Sequence, residues 1–417
     1  MPQVLGVVAR RLGDWTTAED AVQEAVLAAL RTWPADGAPA DPRSWLVTVA
    51  VRRAVDEMRS ATARRRREVR AFLREPVESD PPISGGPPSE SGAPDTGVFG
   101  TGASDPGASD DSLALLLMCC HPSLSPASAV ALTLRAVGGL TTAEIARAFM
   151  VPETTMAQRI SRAKRTVAAS GEPFALPSRA VLPLRLRQVM HVLYLIFTEG
   201  HTSSGGDALA RADLTDEAIR LTRLLHRAVP ADPEVTGLLA LMLLTDARRG
   251  ARQTPAGDLV PMPEQDRARW DAAAIAEGLE LIGAAVRAES VGEYQLQALI
   301  AAEHDRAGSP EATDWQRIRV LYELLDRMTG NPVVRVNRAV AAGMADGPDA
   351  GLAVLDGVVG IPADSHRLLA VRAHLVEMSG DPAAALGLYR RAADRATNLP
   401  EQRYLTGRAA RLTDRPS

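Results

Sequence analysis

Between Glu153 and Ser170 the chain carries four basic residues and one acid. On a helical projection Thr155, Gln158, Arg159, Arg162 and Arg165 share one side. Met156, Ile160, Ala163 and Val167 share the other, at spacings of 4, 3 and 4. Hydroxyl and amide side chains near a helix N-terminus suit hydrogen bonding to base edges, and guanidinium groups a turn later suit phosphate oxygens. The apolar stripe is what such a helix packs against a neighbour. An ordinary helical hairpin with a solvated basic face fits the same residues.

The preceding residues set the geometry. Thr141-x-x-Glu144 is a capping box, in which a hydroxyl and a carboxylate satisfy free amides at a helix start. It predicts a short helix to about Phe149, with small Ala146 where a second helix crosses. Val151-Pro152 forms the joint, and proline at the first position of the next helix sacrifices no hydrogen bond.

A second basic concentration lies nearer the N-terminus. Residues 52–74 hold nine arginines against Asp56, Glu57 and Glu68, a local net of +6. Such a run attracts phosphates through counterion release. Before it, "TTAEDAVQEAVLAALRTW" (16–33) opens with a threonine cap and acids in the first turn. Ala21, Val22, Ala25, Val26, Ala28 and Leu30 are expected to be buried. Glu19, Asp20, Gln23 and Glu24 form an acidic face, either simply solvated or a docking edge for a basic partner. In residues 41–70, Trp45, Val49, Val55 and Met58 recur at helical spacing beside Leu46 and Val51. The spacing favours a core role for Trp45 over base stacking.

A chain of 417 residues suggests two to four domains. It is 46% hydrophobic but only 4% aromatic, so aliphatic residues and alanine must fill its cores, which predicts an all-α fold. The net charge of −4 confines any nucleic-acid affinity to local patches. Residues 76–112 contain 7 Pro, 7 Gly, 7 Ser and 7 acids without Lys or Arg, and are expected to be a disordered acidic linker that would shield the arginine run. The expected division is therefore 1–75, the linker 76–112, a second helical unit 113–171, a hinge at 172–179, and a helical remainder 180–417.

That remainder repeats internally. Shifting 334–356 by 34 residues superimposes Arg338 on Arg372, Ala339 on Ala373, Met344 on Met378, Pro348 on Pro382, Ala350 on Ala384 and Leu352 on Leu386. A period of about 34 is that of the tetratricopeptide helix pair. Upstream, "GLLALMLLTDARRGA" and "YQLQALIAAEHDRAG" read as first helices of degenerate units. The arginines of "DARRGAR" and "EQDRARW" are expected to form ion pairs inside this domain.

No catalytic or metal constellation is legible. Cys119 and Cys120 are adjacent and read as a small buried pair beside His121, since no second pair completes a zinc site. The histidines are scattered. Glu199-Gly200-His201 is expected in a loop after an apolar helix, with a packing role. The N-terminus lacks the apolar core of a signal peptide, and no run of about 18 apolar residues exists. A cytoplasmic protein without membrane contact is expected.

"AEDAVQEAVLAAL" with "PRSWLVTVAVRRAVDEMR" resembles region 2 of extracytoplasmic-function sigma factors of the sigma-70 family, and "LTTAEIARAFMVPETTMAQRISRAKR" resembles their region 4. "LLLMCCHPSLSP", "LYLIFTEGHTSS", "LMLLTDARRGAR" and "DRARWDAAAIAEGLELI" resemble the subgroup with a C-terminal tetratricopeptide-like extension. The resemblance spans nearly the whole chain except the linker. It implies a promoter-specificity subunit of RNA polymerase with no cofactor, metal or catalytic residue. Asp20, Gln23 and Glu24 would contact the β′ clamp helices of core RNA polymerase, with a further contact to the β flap. Arg52, Arg53, Asp56 and Arg59 would lie near the −10 element of promoter DNA. At the −35 element, Thr154, Thr155, Gln158 and Arg159 would face bases, and Arg162, Lys164 and Arg165 phosphates. The extension would regulate the factor and bind a protein or peptide. Two rivals remain: a helix-turn-helix regulator with a helical sensor domain leaves the acidic helix and arginine run unexplained. A tetratricopeptide scaffold leaves both basic helices unexplained.

Overall fold

The computed structural model describes residues 2–13, 15–72, 107–178, 180–202, 209–288 and 290–413. Eighteen α-helices and no β-strand occur among them. Most of the expected acidic linker, with its role toward the arginine run, lies outside the described residues. The chain divides into two compact units, one of Met1–Leu115 with Ala168–Leu176, the other of Leu116–Val167 with Pro177–Ser417.

In the first unit, α1 (Pro2–Leu12), α2 (Trp15–Asp36) and α3 (Pro42–Phe72) pack against one another. Their interface is built from small residues: Ala18, Ala21, Val22, Ala25 and Ala29 of α2, and Leu46, Val47, Ala50 and Ala54 of α3. Alanine lets helix backbones approach closely, which is how a chain poor in aromatics closes a core. On α2, Ala21, Val22 and Ala25 are buried as expected and Val26 and Ala28 half-buried, but two residues depart. Leu30 is 67% exposed, while Glu19 is 5% exposed and accepts a hydrogen bond from Gln23 at 3.2 Å. Trp45 is half-buried and meets Trp33 edge-on, ring centroids 5.4 Å apart. Asp41 caps α3 by accepting from the backbone N–H groups of Arg43 and Ser44.

The second unit contains α5 (Pro126–Ala136), α6 (Thr142–Ala148) and α7 (Glu153–Ala169), which follow α4 (Gly107–Cys119). Helix α4 opens six residues before position 113, where the second helical unit was expected to begin. Cys119 and Cys120 are buried, and Cys120 Sγ lies 3.6 Å from Thr133 Oγ1. Burial pushes the Cys120 thiol up to about 12, so it stays neutral.

Helices α8 (Leu182–His201) and α9 (Ala212–Ala228) lead into α10 (Pro233–Asp246), which is buried from Val235 through Leu244. A helix apolar all round belongs at a domain centre, and α9, α11 (Ala272–Ala285) and α12 (Glu293–Arg306) surround it. Then come α13 (Trp315–Thr329), α14 (Pro332–Asp346), α15 (Pro348–Asp356), α16 (His366–Met378), α17 (Pro382–Arg395) and α18 (Leu399–Thr413). Helices α14 and α16 begin at residues 332 and 366, and their partners α15 and α17 at 348 and 382, so both members of the pair recur after 34 residues. Ala339 and Ala373 are fully buried at equivalent places.

Two of the five arginines of 247–270 form the expected ion pairs, while Arg252 and Arg267 donate to backbone carbonyls instead. Arg249 bridges Asp216 (2.7 Å) and Asp246 (2.8 Å), and Arg248 meets Asp305 at 3.3 Å. Glu199-Gly200-His201, expected in a loop, instead forms the last turn of α8. The ring of His201 stacks on Phe197, centroids 5.6 Å apart, and its carbonyl accepts from Arg252. The helix continues because Gly200 is where α9 crosses it. A Cβ there would stand 2.6 Å from both the backbone nitrogen and the hydroxyl of Thr215. Gly200→Ala should therefore force α8 and α9 apart and cost about 1–3 kcal/mol, read as a lower urea midpoint at unchanged m-value.

Candidate nucleic-acid and polymerase interface

The helix-turn-helix forms as its residues dictate. Thr141 Oγ1 accepts from Glu144 N–H (3.2 Å), and Glu144 Oε2 accepts from Thr141 N–H (2.7 Å). The two Thr141 hydrogen bonds, backbone then hydroxyl, hold the Glu144 carboxyl below its usual range. Helix α6 stops at Phe149. Met150 turns the chain with φ 48°, in the left-handed region, and Val151 N–H closes back on Ala146 O at 3.0 Å. A non-glycine residue there is strained. The tight turn that aims α7 holds Met150 in this conformation.

On α7 the apolar stripe is buried as its spacing required: Met156 is 0% and Ile160 5% exposed, with Ala163 and Val167 alike. Everything opposite is turned outward. Thr154, Thr155, Gln158, Arg162 and Arg165 are exposed, and Arg159 and Lys164 half-exposed. All seven expected residues thus lie on one helix and outside the buried stripe.

The other expected residues lie on α2 and α3. Asp20, Gln23 and Glu24 are exposed on α2, and Arg52, Arg53, Asp56 and Arg59 are exposed on α3. Two of them meet: Arg53 Nη1 lies 2.6 Å from Glu24 Oε2. Both side chains are about half-exposed, so the pair contributes roughly 0–1 kcal/mol. Sequence reasoning missed the apolar continuation of this α2 face, where Leu27 and Leu30 are both exposed. Their spacing from Gln23 and Glu24 was a usable signal; Leu30 was expected in the core and Leu27 was given no role.

It also missed how the helix-turn-helix is held. Arg185, 4% exposed on α8, donates to Leu117 O at 3.0 Å. Arg220 of α9 donates to Val137 O at 3.1 Å and is ion-paired with Glu217 at 2.6 Å. Gly138 makes room, since a Cβ there would be 3.3 Å from the Glu217 carboxylate. The available signal was Arg185, a charged residue between Leu184 and Leu186 at the start of α8. Among the described residues no group of three or more His, Cys, Asp or Glu could hold a metal ion. No helix among them is long and apolar enough to cross a membrane.

Two family patterns match these helices: Sigma-70 region 2 over residues 1–64, and Sigma-70, region 4 over residues 114–167. The chain belongs to the extracytoplasmic-function branch of the sigma-70 family. Its role is that of an RNA polymerase sigma factor, and sigma factor families are not in general enzymes. Residues 185–286 of this sigma factor match a family of unknown function. An uncharacterized protein of Rhizobium meliloti (strain 1021) is 39% identical over 416 residues, covering 100% of this chain and 95% of that protein. The ECF RNA polymerase sigma factor SigJ of Mycobacterium tuberculosis is 32% identical over 181 residues, 41% of this chain and 50% of its own length. No solved structure matches at a significant level.

Because the Thr141–Glu144 box fixes the start of α6, Thr141→Ala should cost about 1 kcal/mol. The loss would appear as a lower thermal midpoint of the full chain, with the basic face of α7 unaltered.

Proposed function

We propose that α7 reads the −35 element of promoters. Thr154, Thr155, Gln158 and Arg159 meet base edges in the major groove, and Arg162, Lys164 and Arg165 hold the flanking phosphates. The observation that carries this reading is the partition of α7: its only apolar stripe is buried, and the basic face is left exposed. In the same reading Arg52, Arg53, Asp56 and Arg59 of α3 engage the −10 element. Asp20, Gln23 and Glu24, extended by Leu27 and Leu30, dock on the β′ clamp helices of core RNA polymerase. A charged rim around exposed leucines suits a transient protein interface. The β flap would contact the helix-turn-helix unit. Such a factor works in the cytoplasm, at the nucleoid.

The division proposed is region 2 within 1–75, an acidic linker over 76–112, region 4 within 113–171 and an extension over 180–417. Recurrence of the α14–α15 pair supports a tetratricopeptide-like extension, and such repeats present concave binding surfaces to proteins or peptides. The bonds from Arg185 and Arg220 to region 4 carbonyls support a regulatory role, because any rearrangement of α8 or α9 is felt at Leu117 and Val137.

Arg159→Ala and Arg162→Ala should each lower promoter-specific transcription in vitro by about tenfold while leaving co-purification with core polymerase unchanged. Arg162→Ala, which removes a phosphate contact, should also flatten the salt dependence of promoter binding by about 0.9 in log–log slope. Wild-type transcription from both variants would sink the −35 assignment, and failure of the chain to bind core polymerase would sink the whole reading. Truncation after residue 175 should change transcription while core binding persists, measured by the same pair of assays.

A further inference from the structure

The extension holds a cavity of about 740 Å³ that none of these roles uses. That size lies within the roughly 300–1,000 Å³ of small-molecule sites. Trp315, Tyr322 and Met344 supply an aromatic and apolar wall, and Arg267, His304 and Asn337 supply polar groups. The wall residues come from α13 and α14 and His304 from the end of α12, while Arg267 comes from the segment between α10 and α11 and further lining from α16 and α18.

On its buried side the charge does not balance. Arg267 donates Nη1 to two backbone carbonyls, His304 O at 3.0 Å and Ala307 O at 2.6 Å, and lies over Trp270 at 4.4 Å. Its Nε is buried without a hydrogen-bond partner. Asp305 is the buried acid nearby, and its Oδ1 is already engaged by the buried Arg248 at 3.3 Å. Burial raises the Asp305 carboxyl to about 6. Burial, with Arg248 and Arg267 adding to it, lowers His304 to about 4. At neutral pH two cations therefore face one carboxylate and a neutral imidazole. The remaining lining carboxylates, of Glu264 and Glu311, lie on the solvent-exposed side, with Glu311 within electrostatic reach of Arg267, and Arg408 is paired with Glu377. Half-burying a guanidinium against neutral acceptors is costly, and an anion in the cavity would offset that cost.

We infer that this cavity binds a small organic anion: a flat apolar or aromatic body against Trp315, Tyr322 and Met344, bearing a carboxylate, sulfonate or phosphate directed to Arg267. The site is independent of the promoter-reading assignment and stands or falls separately from it. Its lining runs from the segment before α11 through α12, α13 and α14 to α16 and α18, so an occupant would tie successive helix pairs together.

Two fluorescent probes of similar body test this on the full chain. One is the anion 1-anilinonaphthalene-8-sulfonate and the other is neutral N-phenyl-1-naphthylamine. The expected result is a single saturable site that prefers the anion by about tenfold. Arg267→Met, which keeps the packing on Trp270, should remove that preference by weakening the anion alone. Met344→Trp, which fills the cavity from a partly exposed position, should weaken both probes about tenfold with unchanged far-ultraviolet dichroism. Equal affinity of the wild type for the two probes would overturn the anion assignment without recourse to any variant. Binding untouched by Met344→Trp would overturn the site itself.

Discussion

A helix that buries one apolar stripe has no freedom in what its opposite face presents. On α7 that constraint is carried by Met156, Ile160, Ala163 and Val167, and the DNA-facing assignment depends on it. The stripe fixes rotation about the helix axis, and the capped start of α6 and the left-handed Met150 fix its entry. Four apolar residues and one strained turn thereby orient seven polar ones. Cores made largely of alanine and leucine serve the same purpose elsewhere: they bring helix axes close and leave the long charged side chains outside.

Region 4 is not left to stand on its own core. Arg185 and Arg220 reach from α8 and α9 to main-chain carbonyls of Leu117 and Val137. A charged donor on a carbonyl satisfies the end of one helix with a side chain from another, and removing it would leave an acceptor dry. The match to a family of unknown function begins at residue 185, with the first of these arginines. The matched range thus includes a residue that bonds to region 4 directly.

Much of this was legible because it is local. The capping box, the α7 stripe and the 34-residue recurrence depend on spacings within one or two helices, and helical periodicity reports them faithfully. What failed was long-range. Leu30 looked like core because it is apolar at a helical position, yet the neighbours that bury α2 lie on the face of Ala18, Ala21 and Ala25. Glu19 looked solvated because it is charged. The end of α8 looked like a loop because glycine usually punctuates, whereas Gly200 serves a helix crossing whose partner Thr215 is fifteen residues away. Each error came from a residue whose role is set by something packed against it from elsewhere in the chain.

The Glu24–Arg53 pair has a thermodynamic consequence. Under the proposed roles, one partner belongs to the polymerase surface and the other to the DNA surface, and in the free chain each occupies the other. Linkage then makes the two binding events cooperative, since whichever comes first releases the side chain that the second requires. An exposed pair of roughly 0–1 kcal/mol limits that cooperativity to about fivefold. Assembly on a promoter would gain a mild preferred order from a single surface contact, with no change of shape in region 2.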